Sequence, residues 1–305
     1  MQRMKFRKPV RTLCLLLVFC LLAGSAAAMT RALATEIPVK VELKSGAAVS
    51  SNAKAVVDSS NLAEGLVMVK YVGGRDVRIK LQITKSGGTT YTYDLNNKGV
   101  FETFPLVEGD GSYSIKVYEN TTGTKYALAH SATVTLALRN EFLPFLYANQ
   151  YVNFTADSAV TAQAVELCTG QETSLLKVTA VYDYVVGNFT YDLERAKSVQ
   201  SGYLPDVDAV LAEKKGICFD YASVMTAMLR SQNIPCKLVV GYAGTVYHAW
   251  ISVYLEESGW VEKAIYFDGH TWKLMDPTFA SSANSSKEIL AYISNGDNYT
   301  QKYVY

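Results

Sequence analysis

The feature that most constrains the fold is a change in the spacing of apolar residues near residue 140. Before it, apolar and polar residues alternate, as in residues 77–83, and a period of two is typical of strands with one buried face. Glycine-rich turns, such as residues 96–99 and 109–111, separate the alternating runs. Short strands joined by such turns predict an antiparallel β-sandwich over residues 36–140.

The second half of the chain has a helical period first and an alternating one afterwards. Residues 141–157, which include Pro144 and several aromatic residues, are interpreted as a linker. Helices are predicted around residues 160–168, 174–187, 206–214 and 218–232. After Pro235, strands are predicted over residues 237–242, 246–254, 260–267 and 271–275. Residues 158–305 are therefore predicted to form an α+β domain.

The first 34 residues have the pattern of a secretory signal peptide. A start rich in arginine and lysine precedes the apolar run at residues 13–22, and small residues follow. An A-x-A cleavage site ends before Thr35, with residues 26–28 as an earlier alternative. We expect a secreted or cell-envelope-associated, extracytoplasmic protein. The alternative is an uncleaved anchor, and only in that form would the signal segment hold the chain to a membrane.

The charge of the remaining chain argues against nucleic-acid binding. The signal segment carries six of the 29 basic residues and none of the 28 acidic ones. Its removal leaves a net charge of −5, with no block of basic residues that could follow a phosphate backbone. We expect no nucleic-acid partner.

Three cysteines follow the signal segment, namely Cys168, Cys218 and Cys236. An odd number in an oxidising compartment leaves at least one free thiol. Pairing of Cys168 with Cys236 would leave Cys218 free. The alternative is that all three are reduced and two of them are buried as small apolar residues.

Three residue types suited to covalent catalysis occur in the second half. Cys218 begins a predicted helix, where unpaired N–H groups and the helix dipole stabilise a thiolate and can bind an oxyanion. His248 begins an apolar strand, and Asp276 closes another strand directly before Pro277. Each has an ordinary structural interpretation when taken alone. Together they supply a nucleophile, a base and a group that orients the base.

These segments resemble those of transglutaminase-like proteins. Residues 216–223 (GICFDYAS) are similar to the G-x-C-x-x-x-A/S nucleophile segment of that superfamily, and residues 230–242 to its helix end and following strand. His248-Ala249-Trp250 and Asp276-Pro277-Thr278 resemble its histidine strand and aspartate turn. The resemblance covers about residues 158–280 and identifies the chain as similar to bacterial exported members.

The resemblance implies a papain-like core with Cys218, His248 and Asp276 as the catalytic triad. It also implies an acyl-enzyme thioester that water or an amine resolves, without a metal or cofactor. Tyr191 and Trp250 are candidates for lining the substrate cleft. After Trp250 the chain departs from many relatives, because it has Ile-Ser-Val at residues 251–253.

Three functions remain open at this point. The first is a peptidase or amidase that acts on peptides or proteins, with cell-envelope peptides as candidate substrates. The second is a true transglutaminase with an amine acceptor. The third is a catalytically silent binding or scaffold protein on the same fold.

Overall fold

The alternating first half forms two four-stranded antiparallel sheets in the computed structural model. The model describes residues 37–38, 40, 42–256, 258–261, 266–267, 272–273 and 298–305. The eight strands are β1 (Val49–Ser51), β2 (Ala55–Asp58), β3 (Leu66–Tyr71), β4 (Ile79–Lys85), β5 (Thr90–Leu95), β6 (Glu102–Pro105), β7 (Gly111–Thr122) and β8 (Lys125–Leu136). One sheet has the order β1-β2-β3-β6 and the other β5-β4-β7-β8.

The two sheets bury one face each, as the period of two predicts. In β4, Ile79, Leu81 and Ile83 are buried and alternate with partly exposed polar residues. These side chains join those of β2, β3 and β7 in one hydrophobic core. Apolar burial of this kind contributes about 25 cal/mol for each Å² removed from water.

The segment after the sandwich is largely buried. Residues Leu143–Phe145 form a short 3-10 helix, and its three side chains are buried together with Leu146 and Val152. Residues 141–157 therefore contribute apolar side chains to the interior, which a solvated linker would not do. The domain limits of the sequence analysis stay a prediction.

The part of the chain that the structure describes then contains five α-helices, namely α1 (Ala159–Cys168), α2 (Ser174–Asn188), α3 (Leu193–Ser198), α4 (Val207–Glu213) and α5 (Cys218–Ser231). Asp206 caps α4, and its side chain accepts a hydrogen bond of 3.0 Å from Ala209 N. Helix α2 begins at Ser174, the predicted start, and is capped by Thr173. The short helix α3 had no counterpart in the sequence prediction.

The second half also contains an antiparallel sheet of order β13-β12-β11-β16. Its strands are β11 (Cys236–Ala243), β12 (Val246–Leu255), β13 (Gly259–Val261) and β16 (Tyr299–Val304). Two short pairs complete the described strands: β9 (Thr190–Tyr191) with β10 (Lys215–Gly216), and β14 (Tyr266–Phe267) with β15 (Trp272–Lys273). The sequence analysis did not predict β16, which lies beside β11. The fold is α+β, with helices and antiparallel strands in separate parts of the chain.

Helix α5 packs against β11 and β12 and is almost entirely buried. Along β12, Ala249, Ile251 and Val253 belong to the same hydrophobic core as the side chains of α5. Because successive strand residues point to opposite faces, His248 and Trp250 lie on the other face of this sheet. Among the described residues, no helix is both long and apolar enough to cross a membrane.

Candidate active site

Cys218 is the first residue of α5, as the sequence analysis predicts. Ile217 precedes it in extended conformation, and the Cys218 side chain is partly exposed. The first-turn N–H groups of a helix have no partner within the helix, so they can bind negative charge beside this thiol. All three cysteines of the described chain are free thiols. Cys168 and Cys236 therefore do not form the disulfide that the sequence left open.

The carboxylate of Asp220 fixes the chain that leads into Cys218. Asp220 is fully buried, and one of its oxygens (Oδ2) accepts a hydrogen bond of 2.8 Å from Ile217 N. The side chain also lies against Gly216, where an added Cβ would come within 2.6 Å of the Asp220 Cβ. Gly216 is therefore required by the close approach of Asp220. This explains the glycine two residues before the cysteine.

Two further side chains hold the Asp220 carboxylate. The Tyr203 hydroxyl donates a hydrogen bond of 2.6 Å to Oδ1. The Arg195 guanidinium lies 3.4 Å from Oδ2 and also contacts Asp192 at 3.8 Å and Glu213 at 3.2 Å. Burial, followed by the hydrogen bond to Asp220, raises the pKa of Tyr203 above its usual value. Tyr203 therefore stays a neutral hydrogen-bond donor at physiological pH.

The backbone at Tyr191 pairs with the same approach segment. Thr190 N donates to Lys214 O at 2.9 Å, and Asp192 N donates to Gly216 O at 2.8 Å. This makes β9 and β10 a short parallel pair. Tyr191 is half-buried, and its ring centroid lies 6.5 Å from that of Tyr221 in α5. Tyr191 thus borders the segment that carries Cys218.

The β11–β12 hairpin brings the start of β12 near Cys218. Tyr247, the residue before His248, lies close enough to Cys218 for the two to interact electrostatically. His248 pairs with Gly241 across the hairpin, and its side chain leaves β12 on the face opposite Ala249 and Ile251, which pack with α5. Proton transfer between His248 and Cys218 therefore belongs to the proposal below and not to the observed contacts.

Among the described residues, two aromatic rings lie beside His248. His248 is 5% exposed, and its ring centroid lies 6.4 Å from both Trp250 and Tyr299. Gly241 leaves no room for a side chain here, since an added Cβ would approach Thr300 O to 2.1 Å. Trp250 is only 2% exposed and packs at 5.3 Å on Tyr299. Trp250 therefore contributes to the interior next to His248.

Asp276 lies outside the described residues. The triad of Cys218, His248 and Asp276 consequently stays a prediction, as do Tyr191 and Trp250 as cleft residues.

The other two thiols lie in environments that disfavour a thiolate. Cys236 is fully buried on β11 near Thr226, and burial raises its pKa to about 11. Burial also raises the pKa of Cys168. Since the thiolate is the reactive form, neither residue is suited to act as a nucleophile at neutral pH.

Sequence reasoning missed the contacts of Arg195 and Tyr203. Asp220 is visible as an acidic residue two positions after the cysteine, but its partners lie 25 and 17 residues away along the chain. Nothing in their local sequence marks them. Within the described part of the chain, no group of three or more His, Cys, Asp or Glu side chains is arranged to hold a metal ion.

Comparison with known proteins gives a family match for part of this region. Residues 161–265 match the model of the transglutaminase-like superfamily core. The chain is 30% identical over 139 residues to the uncharacterized protein YebA of Bacillus subtilis (strain 168). That match covers 38% of this chain and spans 19% of the length of YebA.

Two solved structures also resemble the chain at low identity. One is named "Putative Cysteine Protease" and comes from Cytophaga hutchinsonii, with 16% identity, a TM-score of 0.39 and coverage of 84% of this chain and 73% of the other. The second is red sea bream transglutaminase, with 12% identity, a TM-score of 0.27 and coverage of 70% and 48%.

Proposed function

We propose that this chain, whose residues 161–265 form a transglutaminase-like core domain, is an exported cysteine-dependent enzyme that cleaves peptide or carboxamide bonds. The observation that carries the proposal is the position of Cys218 as the first residue of a buried helix. Its approach segment is held by the buried carboxylate of Asp220. A rigid support of this kind keeps a nucleophile in a productive geometry.

The proposed reaction begins with attack of the Cys218 thiolate on a carbonyl carbon. The negative charge that develops on the carbonyl oxygen faces the first-turn N–H groups of α5, which stabilise it. His248 donates a proton to the leaving nitrogen as the C–N bond breaks, which leaves a thioester on Cys218. In the second half-reaction, His248 takes a proton from water as the water oxygen attacks the thioester carbon. The C–S bond then breaks, the acid leaves, and the Cys218 thiolate and the protonated His248 are restored.

Asp276 is assigned the role of orienting His248. A carboxylate that accepts a hydrogen bond from one imidazole nitrogen fixes the tautomer in which the other nitrogen can accept a proton. It also stabilises the imidazolium that forms during the reaction. This assignment rests on the aspartate turn at residues 276–278 in the sequence.

Hydrolysis is preferred over amine transfer for an exported enzyme, because such an enzyme meets abundant water and dilute amines. A transglutaminase would use the same first half-reaction and differ only in the acceptor. The proposed substrates are peptides or proteins outside the cytoplasmic membrane, with cell-envelope peptides as the leading candidates.

The test is a product analysis with and without the nucleophile. The purified chain and its Cys218→Ala variant are incubated with a mixture of peptides and a fluorescent primary amine, and the products are identified by mass spectrometry. We expect new peptide termini that depend on Cys218, and an acyl adduct on Cys218 after rapid acid quenching.

The outcomes separate the three functions. Incorporation of the amine in place of new termini would favour a transglutaminase. Absence of both products and of the Cys218 adduct would indicate a catalytically silent protein. Cys236→Ala is the matched control, since removal of this buried thiol leaves the proposed nucleophile in place.

A further inference from the structure

Two tyrosines are exposed at the end of the β11–β12 hairpin. Tyr242 and Tyr247 pair directly across the two strands, with ring centroids 5.5 Å apart and an angle of 65° between the rings. Tyr247 is 55% exposed and Tyr242 is 38% exposed. Val246, next to Tyr247, is 59% exposed. Large apolar side chains grouped on a surface in this way often mark a binding site.

This pair lies beside the proposed nucleophile. Tyr247 shares a strand face with Ala249 and Ile251, which belong to the core that contains α5. Tyr247 and Cys218 lie close enough to interact electrostatically, which places the Tyr247 side chain near the start of α5. Burial raises the pKa of Tyr247 most, and Tyr303, Tyr242 and Cys218 add smaller electrostatic contributions.

A series of ring contacts leads from Tyr303 to the residue after Cys218. Tyr303 on β16 is half-buried and pairs with Val240, so its side chain points to the same face as Tyr242. The ring of Tyr305 lies 6.3 Å from Tyr303 and 4.6 Å from Tyr151. The ring of Tyr151 in turn lies 5.3 Å from Phe219, the residue after Cys218. We call Tyr242, Tyr247 and Tyr303 the tyrosine wall.

The chemistry of the tyrosine wall favours an apolar ligand. Residues 243–246, which connect the two tyrosines, are Ala, Gly, Thr and Val and carry no charge and no amide side chain. A sugar site needs a flat ring face together with polar groups that bind hydroxyls. Here two rings meet at 65°, which suits an apolar side chain that touches both rings.

We propose that Tyr247 and Tyr242 bind an aromatic or large aliphatic side chain of the acyl donor, next to the carbonyl that Cys218 attacks. This inference rests on the proposed function and adds a substrate class to it. The enzyme then acts on peptides with an apolar residue on the acyl side of the cleaved bond. Removal of one tyrosine ring lowers selectivity and leaves the chemistry of the nucleophile in place.

The test uses peptidyl acyloxymethyl ketones, electrophiles that alkylate a cysteine nucleophile. Four probes carry Phe, Leu, Ala or Asp next to the reactive ketone, and the rate of Cys218 labelling is measured by mass spectrometry. We expect the Phe and Leu probes to react about tenfold or more faster than the Ala probe, and the Asp probe to react most slowly.

The readout for each variant is its own ratio of Phe-probe to Ala-probe rates, which is independent of the absolute reactivity of Cys218. We expect Tyr247→Ala to lower this ratio toward one and Tyr247→Phe to retain it. Tyr242→Ala, which removes the cross-strand partner of Tyr247, should also lower it. Tyr126→Ala, on the partly exposed face of β8, is the matched control and should keep the wild-type ratio.

Equal rates with all four probes in the wild type, or an unchanged ratio in both Tyr247→Ala and Tyr242→Ala, would overturn the inference. Iodoacetamide, which lacks a peptide side chain, separates this failure from that of the proposed function. Selective iodoacetamide labelling of Cys218 with no probe preference contradicts only the tyrosine wall, whereas unselective labelling contradicts the nucleophile itself.

Discussion

Asp220 connects the sequence around the nucleophile to the rest of the site. Its buried carboxylate accepts hydrogen bonds from Ile217 N at 2.8 Å and the Tyr203 hydroxyl at 2.6 Å, and it faces the Arg195 guanidinium. A buried carboxylate is costly unless such partners compensate for its lost hydration. The segment before Cys218 is therefore held by the Asp220 carboxylate. Displacement of this carboxylate would break its contacts with Ile217, Tyr203 and Arg195.

Replacement of Asp220 by Asn tests this support. The neutral amide loses the charge that faces Arg195 and turns an N–H₂ group toward one of the three donors. We expect the free energy of unfolding to fall by about 3 kcal/mol, because one partner of a buried charged pair is removed. Urea denaturation measures this change, and iodoacetamide labelling of Cys218 should also slow.

The matched control is Glu213→Gln, which changes an exposed partner of the same Arg195. Exposed ion pairs contribute about 0.5 kcal/mol or less, so this variant should unfold like the wild type. An equal loss of stability in the two variants would show that the buried carboxylate has no special role. Tyr203→Phe removes a single hydrogen bond to the carboxylate and should lie between them, at about 1–2 kcal/mol.

Cys236 gives a pH-dependent prediction. Its pKa is raised by burial to about 11, above that of an unfolded cysteine near 8.5. The unfolded chain therefore loses this proton first, and the stabilisation present below pH 8.5 is lost as the pH rises toward 11. The stability advantage of the wild type over Cys236→Ala should shrink by about 2 kcal/mol between pH 8 and pH 11.

Urea denaturation of both proteins under reducing conditions measures this difference. The comparison of two variants removes the contribution of lysines and tyrosines, which titrate in the same range in both. A difference that stays constant with pH would mean that Cys236 is not buried in the folded protein.

At the residue level, the sequence identified Cys218 as a candidate nucleophile, but not all of the side chains that hold the segment before it. Cys218 at a helix start was predictable because the apolar period from residue 218 onward is local information. Gly216 and Asp220 are part of the sequence motif around Cys218. That the Asp220 side chain packs against Gly216 is evident only from the structure. Arg195 and Tyr203 could not be predicted, since pairing over long sequence distances leaves no periodic signal.

Among the elements, α5 and the β11–β12 hairpin form the unit that positions the site. Arg230 near the end of α5 is fully buried. It donates hydrogen bonds to three main-chain oxygens, those of Cys236 at 2.9 Å, Tyr147 at 2.7 Å and Tyr305 at 2.7 Å. Burial lowers its pKa to about 10. One side chain thus joins the helix to β11, to the segment after the sandwich and to the end of β16.

Replacement of Arg230 by Met should destabilise the packing of these elements. The volume is nearly kept, but three buried oxygens lose their donor, and each unsatisfied group costs about 1–3 kcal/mol. We expect unfolding free energy to fall by about 3 kcal/mol or more in urea denaturation. Arg78→Met, at an exposed position of the sandwich, is the control and should change it by less than about 0.5 kcal/mol. Similar values for the two variants would contradict the role of Arg230.

Most helices and strands were predictable from the sequence, but the elements with which they pair or pack were not. Helices near residues 174–188 and 207–213 follow from apolar spacing and from the cap at Asp206. The strand β16 was missed because its residues 299–304 alternate only weakly, and its pairing with β11 is set by a partner about 60 residues earlier. The buried segment after residue 140 was interpreted as a linker because proline and turn residues conceal its apolar side chains.

In the whole molecule, the sandwich and the second half share one hydrophobic core. Residues Ile37–Tyr305 form a single compact unit. Tyr91 and Tyr93 of β5 lie 5.8 Å from the ring of Tyr305, and Tyr93 lies 5.7 Å from Tyr151. The two halves were distinguishable in the sequence by the spacing of their apolar residues. Only the structure shows that aromatic side chains of the two halves pack together.

This shared core predicts that the two halves unfold together. Tyr305→Ala removes a large buried side chain between them and should lower the unfolding free energy by about 3 kcal/mol. Hydrogen exchange should then increase in both β5 and α5. Leu128→Ala, at an exposed position of β8, is the control and should leave exchange unchanged. Faster exchange confined to α5 would show that the sandwich is stable on its own.

The central claim is that Cys218 is a nucleophile activated by His248, and its most direct test is alkylation by iodoacetamide across pH. The purified chain and its His248→Ala variant are labelled, and the labelled cysteine is identified by mass spectrometry. The account predicts that Cys218 reacts near pH 6 at least about tenfold faster than Cys168 or Cys236, and that His248→Ala removes this advantage. Labelling of Cys218 that is no faster than that of the two buried cysteines, or that is unchanged in His248→Ala, would contradict it.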